Sequence, residues 1–293
     1  MRLGVFAPLS SPLAQPAYVR AFGETAEDLG FDSLWVAEHV VLFQEYASKY
    51  PYAANGRIPA RPDTGVLEPF TTLAYLAACT RRIRLGTGIL LVPQRNPVYT
   101  AKEAANIDWL SNGRLDLGVG IGWLAEEFRA VAVPWERRGE RTRSYLEVMK
   151  RLWCDEVSEY KDEFYDLPAC RQFPKPVQKP HVPIHFGGES EAALRRVADV
   201  GQGWYGFNLE PEQLAEHLVR LDALLASNGR SRRDVQISVS PYNLEMTPAK
   251  LEAYHRAGAD QVILLTFARD LAQMKSTLER FANDYLGIAR RLS

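Results

Sequence analysis

Short apolar runs alternate with amphipathic segments along the whole 293-residue sequence, and this alternation limits the fold more than any other feature. Eight strand-like runs are present, and a segment of helical period accompanies each of them. The runs begin at Arg2, Phe31, Arg82, Gly113, Val182, Gly201, Asp234 and Ala259. Eight such units predict an α/β fold, a (β/α)8 TIM barrel, with an open doubly wound sheet as the alternative.

Two long segments interrupt the alternation. Residues 42–67 follow the second predicted strand and are rich in proline, glycine and tyrosine, so we expect a lid over the barrel mouth that is poorly ordered when empty. An insertion between the fourth and fifth strands holds a predicted helix, "RRGERTRSYLEVMKRLW", and then the proline-rich "LPACRQFPKPVQKPHVP". No repeat or linker divides the chain, so we expect residues 1–293 to form a single domain.

Charge and apolar content exclude several classes of protein. The 35 basic and 36 acidic residues are intermixed, with a formal net charge of −1, which argues against nucleic-acid binding. No apolar run approaches the ~18–20 residues of a membrane span, and the N-terminus lacks signal-peptide features, so we expect a cytoplasmic protein without membrane contact. Cys79, Cys154 and Cys170 are far apart, and the histidines lack metal-ligand spacing, so we expect neither disulfides nor a metal.

In a barrel of this type, the active site lies where the strands end. The second strand ends in "AEH", which places Glu38 and His39 at the mouth, and a histidine can hold or donate a proton near neutral pH. A glycosidase is an alternative, since it needs two carboxylates facing each other, and Glu38, Glu189 and Glu245 are available. We do not favour it, because Glu189 stands at a predicted helix start, where a capping or dipole role is more ordinary.

Glycines follow two neighbouring predicted strands. Residues 117–128, "LGVGIGWLAEEF", place three glycines at alternate positions before a helical segment, and "FGGES" ends the fifth strand. Such glycines let backbone N–H groups approach a phosphate, but they also serve tight turns of positive φ, and the stretch alone leaves both interpretations open. As neighbours, the two turns could hold one phosphate between them.

Aromatic residues are also predicted near the strand ends. A flat cofactor and an apolar substrate would account for more of them than core packing alone. They are Trp35, Trp123, Trp204, Phe207, Tyr242 and Phe267.

Five stretches carry a resemblance to a known family: residues 26–39, 82–97, 101–123, 174–188 and 191–204. In these stretches the sequence resembles the luciferase-like monooxygenase superfamily, and in particular its coenzyme F420-dependent oxidoreductases. The resemblance implies a barrel with an isoalloxazine-like ring in its mouth. It further implies a phosphate turn formed by Gly120, Ile121, Gly122 and Trp123 and joined by Gly187, Gly188 and Glu189.

Other family positions carry over one at a time. His39 matches the histidine near the ring, and Glu38 stands where relatives often have aspartate. Thr87, Gly88 and Ile89 match the bulge that backs the deazaflavin, with a cis peptide expected between Gly88 and Ile89. Trp123 is a departure, because the sugar-phosphate dehydrogenases of the family carry a proton-donating glutamate there, and this argues against that substrate.

The resemblance implies hydride transfer between coenzyme F420 and a small, largely apolar organic substrate. His39 and Glu38 are the candidate catalytic residues, with His39 as the hydrogen-bond donor or proton partner. One alternative is an FMN-dependent monooxygenase that uses reduced flavin and oxygen, and another is a non-catalytic flavin-binding barrel. Substrate identity, reaction direction and the choice between monomer and homodimer stay open.

Overall fold

Eight parallel strands form a closed sheet in the computed structural model, which describes residues 1–59 and 63–292. β1 pairs with both β8 and β2, and β4 pairs with β5, so the sheet closes on itself. The predicted (β/α)8 barrel is confirmed, and the open-sheet alternative is wrong. The strands are β1 (Arg2–Phe6), β2 (Ser33–Val36), β3 (Arg84–Thr87), β4 (Leu115–Gly120), β5 (Ile184–Gly187), β6 (Gly203–Phe207), β7 (Gln236–Ser240) and β8 (Gln261–Leu265).

Helices surround the barrel and bury one face against it. Proline at the first helical position starts five of them, which suits an N–H that would lack a partner in any case. Within the described ranges the helices are α1 (Pro16–Leu29), α2 (Pro69–Cys79), α3 (Pro97–Leu110), α4 (Ala125–Ala130), α5 (Arg138–Cys154), α6 (Glu191–Val200), α7 (Pro211–Ser227), α8 (Pro248–Ala257), α9 (Leu271–Phe281) and α10 (Gly287–Arg291).

The two predicted interruptions are present. Residues 42–59 and 63–67 of the loop after β2 lie in the described part of the chain, and its last residues, Gly65–Val66, pair antiparallel with Ser10–Ser11. Residues 60–62 of the predicted lid lie outside the described residues. The insertion between β4 and β5 contains the predicted helix as α5, followed by a hairpin of Ser158–Lys161 and Asp166–Cys170.

The barrel interior holds a small apolar cluster separate from the larger core between strands and helices. Phe6, Trp35, Tyr205 and Ile263 form this interior cluster, one layer below the mouth. Trp35 is therefore not at the mouth as predicted: it fills the barrel, and a Cβ at Gly86 would overlap its ring.

The prediction for Trp204 was also wrong. Its ring packs on the helix side of β6 against His217, and its indole N–H donates to the Gly188 carbonyl at 2.9 Å. Successive strand residues face opposite sides of the sheet, so Tyr205 and Phe207 point inward where Trp204 points outward. In the described part of the chain, no helix has the length and apolar character needed to cross a bilayer.

Candidate active site

A cavity of ≈ 410 Å³ opens at the carboxyl ends of the strands, where a (β/α)8 barrel carries its active site. This volume lies within the usual range for small-molecule pockets, about 300–1,000 Å³. Its walls come from the ends of β1 to β8 and from the loop after β2. Among the described residues, no group of three histidine, cysteine, aspartate or glutamate side chains could hold a metal ion.

The two glycine turns meet at one end of this cavity. Gly120, Gly122, Gly187 and Gly188 all line it, as do Ile121 and Trp123. Gly122 and Gly188 have φ values of 79° and 99°, which glycine adopts without steric cost. The φ values support the tight-turn interpretation, and the position at the cavity wall is the one that a phosphate turn requires.

Ile89 explains the other two glycines. A Cβ at Gly120 would overlap Cδ1 of Ile89, and a Cβ at Gly187 would lie 3.1 Å from the same side chain. Both positions must therefore lack a side chain for Ile89 to lie over the turns. Ile89 and Gly88 line the cavity, and the expected cis peptide between them is present.

Thr87 lies in the same bulge but faces away from the cavity. Its side chain is fully buried and donates a hydrogen bond to the Gly118 carbonyl at 2.7 Å. Thr87 was predicted among the cofactor-binding residues, but the structure gives it the role of fixing the bulge.

Two arginines that the sequence analysis did not identify lie near the glycine turns. Arg196 of α6 lines the cavity, and Arg138 of α5 approaches the Gly122 carbonyl, with its Nε at 3.4 Å. Neither guanidinium forms an ion pair with a carboxylate among the described residues. Burial lowers the pKa of Arg196, and the positive charges of Arg143 and Arg138 lower it further. Two partly buried cations with no counter-ion fit a phosphate group at this end of the cavity.

Glu189 does not belong to this anion-binding end, which corrects its assignment to the phosphate turn. Its carboxylate accepts hydrogen bonds from the Phe207 N–H at 2.9 Å and from the Tyr52 hydroxyl at 3.2 Å, and it is absent from the cavity lining. Burial raises the pKa of Glu189. The capping role is also wrong, because Ser190 is the N-cap of α6 and its side chain accepts from the Ala193 N–H.

His39 lines the cavity beside Trp123. Its Nδ1 lies 3.4 Å from Oε2 of Glu127, a fully buried carboxylate whose other oxygen accepts from the Val40 N–H at 2.8 Å. Because Nδ1 faces Glu127, Nε2 is the ring nitrogen left for a ligand. The His39 and Trp123 rings meet edge to face, with centroids 5.9 Å apart. Glu127 was not predicted, although it follows the glycine turn within the quoted "LGVGIGWLAEEF".

Glu38, the second candidate catalytic residue, is held from two sides. Its buried carboxylate accepts hydrogen bonds from the Leu91 N–H and from Nη1 of Arg95, the latter at 2.9 Å. Burial raises the pKa of Glu38 to about 7, against the lowering influence of Arg95. Glu38 borders the cavity, and these contacts tie the end of β2 to the chain that follows the bulge.

An aromatic belt, defined here as Trp123, Tyr50, Tyr52, Phe207 and Tyr242, covers the rest of the mouth. Neighbouring rings in the belt lie 4.5–5.6 Å apart, and the hydroxyls of Tyr50 and Tyr242 are 3.4 Å apart. Phe267 also lines the cavity, so four of the six predicted mouth aromatics are confirmed. Tyr50 and Tyr52 belong to the loop after β2, which therefore covers the mouth as predicted for a lid.

Comparisons with known proteins agree with this architecture. The luciferase-like monooxygenase family matches residues 1–286. The uncharacterized protein Rv0953c of Mycobacterium tuberculosis is 30% identical over 263 residues, 89% of this chain and 92% of that protein.

Two solved structures show the same fold over nearly their whole length. The monooxygenase RslO1 from Streptomyces bottropensis is 22% identical with a TM-score of 0.75, covering 98% of this chain and 99% of that one. The coenzyme F420-dependent tetrahydromethanopterin reductase from Methanopyrus kandleri is 16% identical with a TM-score of 0.76, covering 98% of both chains. The chain belongs to the luciferase-like monooxygenase family.

Proposed function

We propose that this protein is an oxidoreductase that transfers a hydride between coenzyme F420 and a small, largely apolar organic substrate. One observation carries the proposal: an anion-binding end, formed by the glycine turns with Arg138 and Arg196, adjoins an apolar cavity backed by Ile89. A cofactor with a phosphate tail and a flat ring would satisfy both parts. When bound, the deazaflavin supplies the carbon that gives or accepts the hydride.

Each part of the cavity has a role in this proposal. Arg138 and Arg196 hold the phosphate, and Ile89 supports one face of the ring, so the substrate approaches the other face. His39, oriented by Glu127, holds a proton at Nε2. The aromatic belt excludes water and packs against the apolar part of the substrate.

The preference for the deazaflavin rests on two points. The Gly88–Ile89 bulge matches the position that backs the ring in the F420-dependent branch, and the Methanopyrus kandleri reductase, described as coenzyme F420-dependent, shares the fold. An FMN-dependent monooxygenase is the second candidate. The likeness to the monooxygenase RslO1 favours it, as does the aromatic cover over the cavity, because a reaction of reduced flavin with oxygen requires a dry site.

Equilibrium titration of the purified protein with coenzyme F420 and with FMN tests the proposal. We expect tight binding of F420, and turnover with the reduced cofactor under anaerobic conditions. Arg196→Met should weaken binding of either cofactor, whereas Arg143→Met, which removes a surface ion pair with Asp199, is the matched control. Tight FMN binding without F420 affinity, together with turnover that requires oxygen, would favour the monooxygenase.

A further inference from the structure

Tyr205 is a buried polar group that the proposed function does not use. It lies on β6 with 2% of its surface exposed, and its ring packs with Phe6, Trp35 and Ile263 inside the barrel. The residue nevertheless borders the cavity, and its hydroxyl has no hydrogen-bond partner among the described residues. A buried hydroxyl without a partner costs about 1–3 kcal/mol, so its presence calls for a ligand.

The hydroxyl lies at the floor of the cavity, under the bulge. A Cβ at Gly88 would be 3.3 Å from the Tyr205 oxygen, so the absence of a side chain at position 88 keeps the hydroxyl open to the cavity. Ile89 points the other way, toward Gly120 and Gly187 and the anion-binding end. The hydroxyl is therefore on the side of the bulge away from the phosphate turns.

Other hydroxyls around the cavity are already engaged. Tyr52 donates to Glu189, and the hydroxyls of Tyr50 and Tyr242 interact with each other. Ser240 on β7 is close enough to lower the pKa of Tyr205 in part, yet neither of these two hydroxyls has a hydrogen bond of proper geometry. Burial raises the pKa of Tyr205 overall, which keeps the phenol protonated and able to donate.

We propose that the Tyr205 hydroxyl is a substrate-binding group that donates a hydrogen bond to the oxygen of a ketone or alcohol. The hydrocarbon part of this substrate lies against Phe6, Leu265 and Phe207, which border the same part of the cavity. The inference rests on the proposed function, because it assigns the opposite end of the cavity to the cofactor. It narrows the substrate from an apolar molecule to an apolar molecule with one oxygen acceptor.

Isothermal titration calorimetry with two isosteric probes tests this inference. Acetophenone carries a carbonyl where α-methylstyrene carries a CH₂ group, and the two are otherwise alike. Wild-type protein should prefer the ketone, and Tyr205→Phe should remove this preference, a change of about 2- to 10-fold in the ratio of affinities. The titrations are made on protein saturated with its cofactor and repeated on cofactor-free protein.

Tyr254→Phe is the matched control for folding. Tyr254 is also fully buried, but its hydroxyl donates to the Leu209 carbonyl at 2.7 Å and is remote from the cavity. Tyr254→Phe should lower Tm, because it leaves a carbonyl without its partner, whereas Tyr205→Phe should leave Tm unchanged or raise it.

Four outcomes would overturn the inference. The first is no ketone preference in the wild type, including no detectable binding of either probe. The second is a preference that persists in Tyr205→Phe, and the third is a loss of cofactor affinity in that variant instead of the ketone preference. The fourth is a drop in Tm equal to that of Tyr254→Phe. Failure of the wild type to bind either F420 or FMN would overturn the proposed function instead, and the probe titrations without cofactor still measure Tyr205 separately.

Discussion

Ile89 occupies the space that any side chain at position 120 would need: a Cβ built on Gly120 would overlap its Cδ1 atom. The glycine of the phosphate turn and the residue that backs the ring are thus packed as a pair, although 31 positions separate them in the sequence. We expect Gly120→Ala to displace Ile89, to cost about 1–3 kcal/mol of unfolding free energy and to weaken cofactor binding.

Double-mutant analysis checks this pairing. Adding Ile89→Ala to Gly120→Ala frees the space, so the two substitutions should be non-additive in urea unfolding and in cofactor titration. Gly287→Ala is the control, since this position is helical with no neighbour closer than 4.0 Å to its Cβ, and it should be neutral or stabilising. Additive effects would show that Ile89 and Gly120 do not share one space.

The contact between His39 and Glu127 predicts a selective loss of turnover. His39→Ala should reduce kcat by about 10²- to 10⁴-fold, as for a removed proton partner, with a smaller effect on cofactor affinity. Glu127→Gln, which keeps the shape of the orienting group, should reduce kcat by less and leave KM nearly unchanged. Steady-state kinetics and cofactor titration on both variants measure this, with Glu126→Gln as the control one residue away. Wild-type kcat in His39→Ala would give this histidine a structural role.

How much of this was visible in the sequence depends on how local each feature is. The strands were predicted because each apolar run is continuous, and His39 because it directly follows one. Arg138 and Arg196 could not be found in this way, since each lies on a helix and reaches the glycine turns only after the chain has folded. Glu189 was placed correctly along the chain, but its side-chain direction depends on Tyr52, which arrives from a distant loop.

The same limit applies to the predicted aromatic residues. Tyr205 and Trp204 are neighbours on one strand, and their alternation puts them on opposite faces. The pattern does not say which face is the barrel interior when both are apolar, because buried parallel strands carry apolar residues on both sides. Trp204 was therefore assigned to the mouth, while Tyr205, which borders the cavity, was not selected.

The raised pKa of Glu38 predicts a pH dependence of stability. In the folded protein this pKa is about 7, above the ordinary 4.5, so the folded state binds more protons than the unfolded state between these values. The stability of the wild type relative to Glu38→Gln should therefore fall as the pH rises from about 5 to 7.5 and level off above that. Urea unfolding across this range measures the difference. Glu24→Gln, which alters an exposed carboxylate, should follow the wild type. Parallel curves for wild type and Glu38→Gln would contradict the prediction.

The anion-binding end can be tested without any cofactor. Inorganic phosphate should raise the Tm of the wild type, since a ligand that binds only the folded state stabilises it by RT ln(1 + [L]/Kd). Arg196→Met should lose this response and Arg143→Met should keep it, because only the first removes a guanidinium from the cavity wall. Chloride at equal ionic strength controls for salt. Equal phosphate responses in all three proteins would remove the evidence that these arginines bind an anion.

The hydrogen bond from Tyr52 to Glu189 connects the loop after β2 to the end of β5, and it predicts how the mouth is closed. The loop is attached at a second point as well, where the Ala47 N–H and the Ser48 hydroxyl donate to Glu126, each at 2.7 Å. Tyr52→Phe keeps the ring contact with Phe207 but removes the hydrogen bond at one point. A loop freed at one of two points opens more often, so we expect faster proteolytic cleavage within residues 42–59 and a higher KM with kcat little changed. Limited proteolysis with and without cofactor and substrate measures the first effect, and bound ligands should slow cleavage of the wild type more than that of Tyr52→Phe. The control is Tyr46→Phe, in which the cation–π contact of Arg57 over the ring, at 4.4 Å, can persist while the connection to Glu189 is untouched. Cleavage rates that are identical in the wild type and Tyr52→Phe, and unchanged by ligands, would show that this loop is a fixed wall of the cavity.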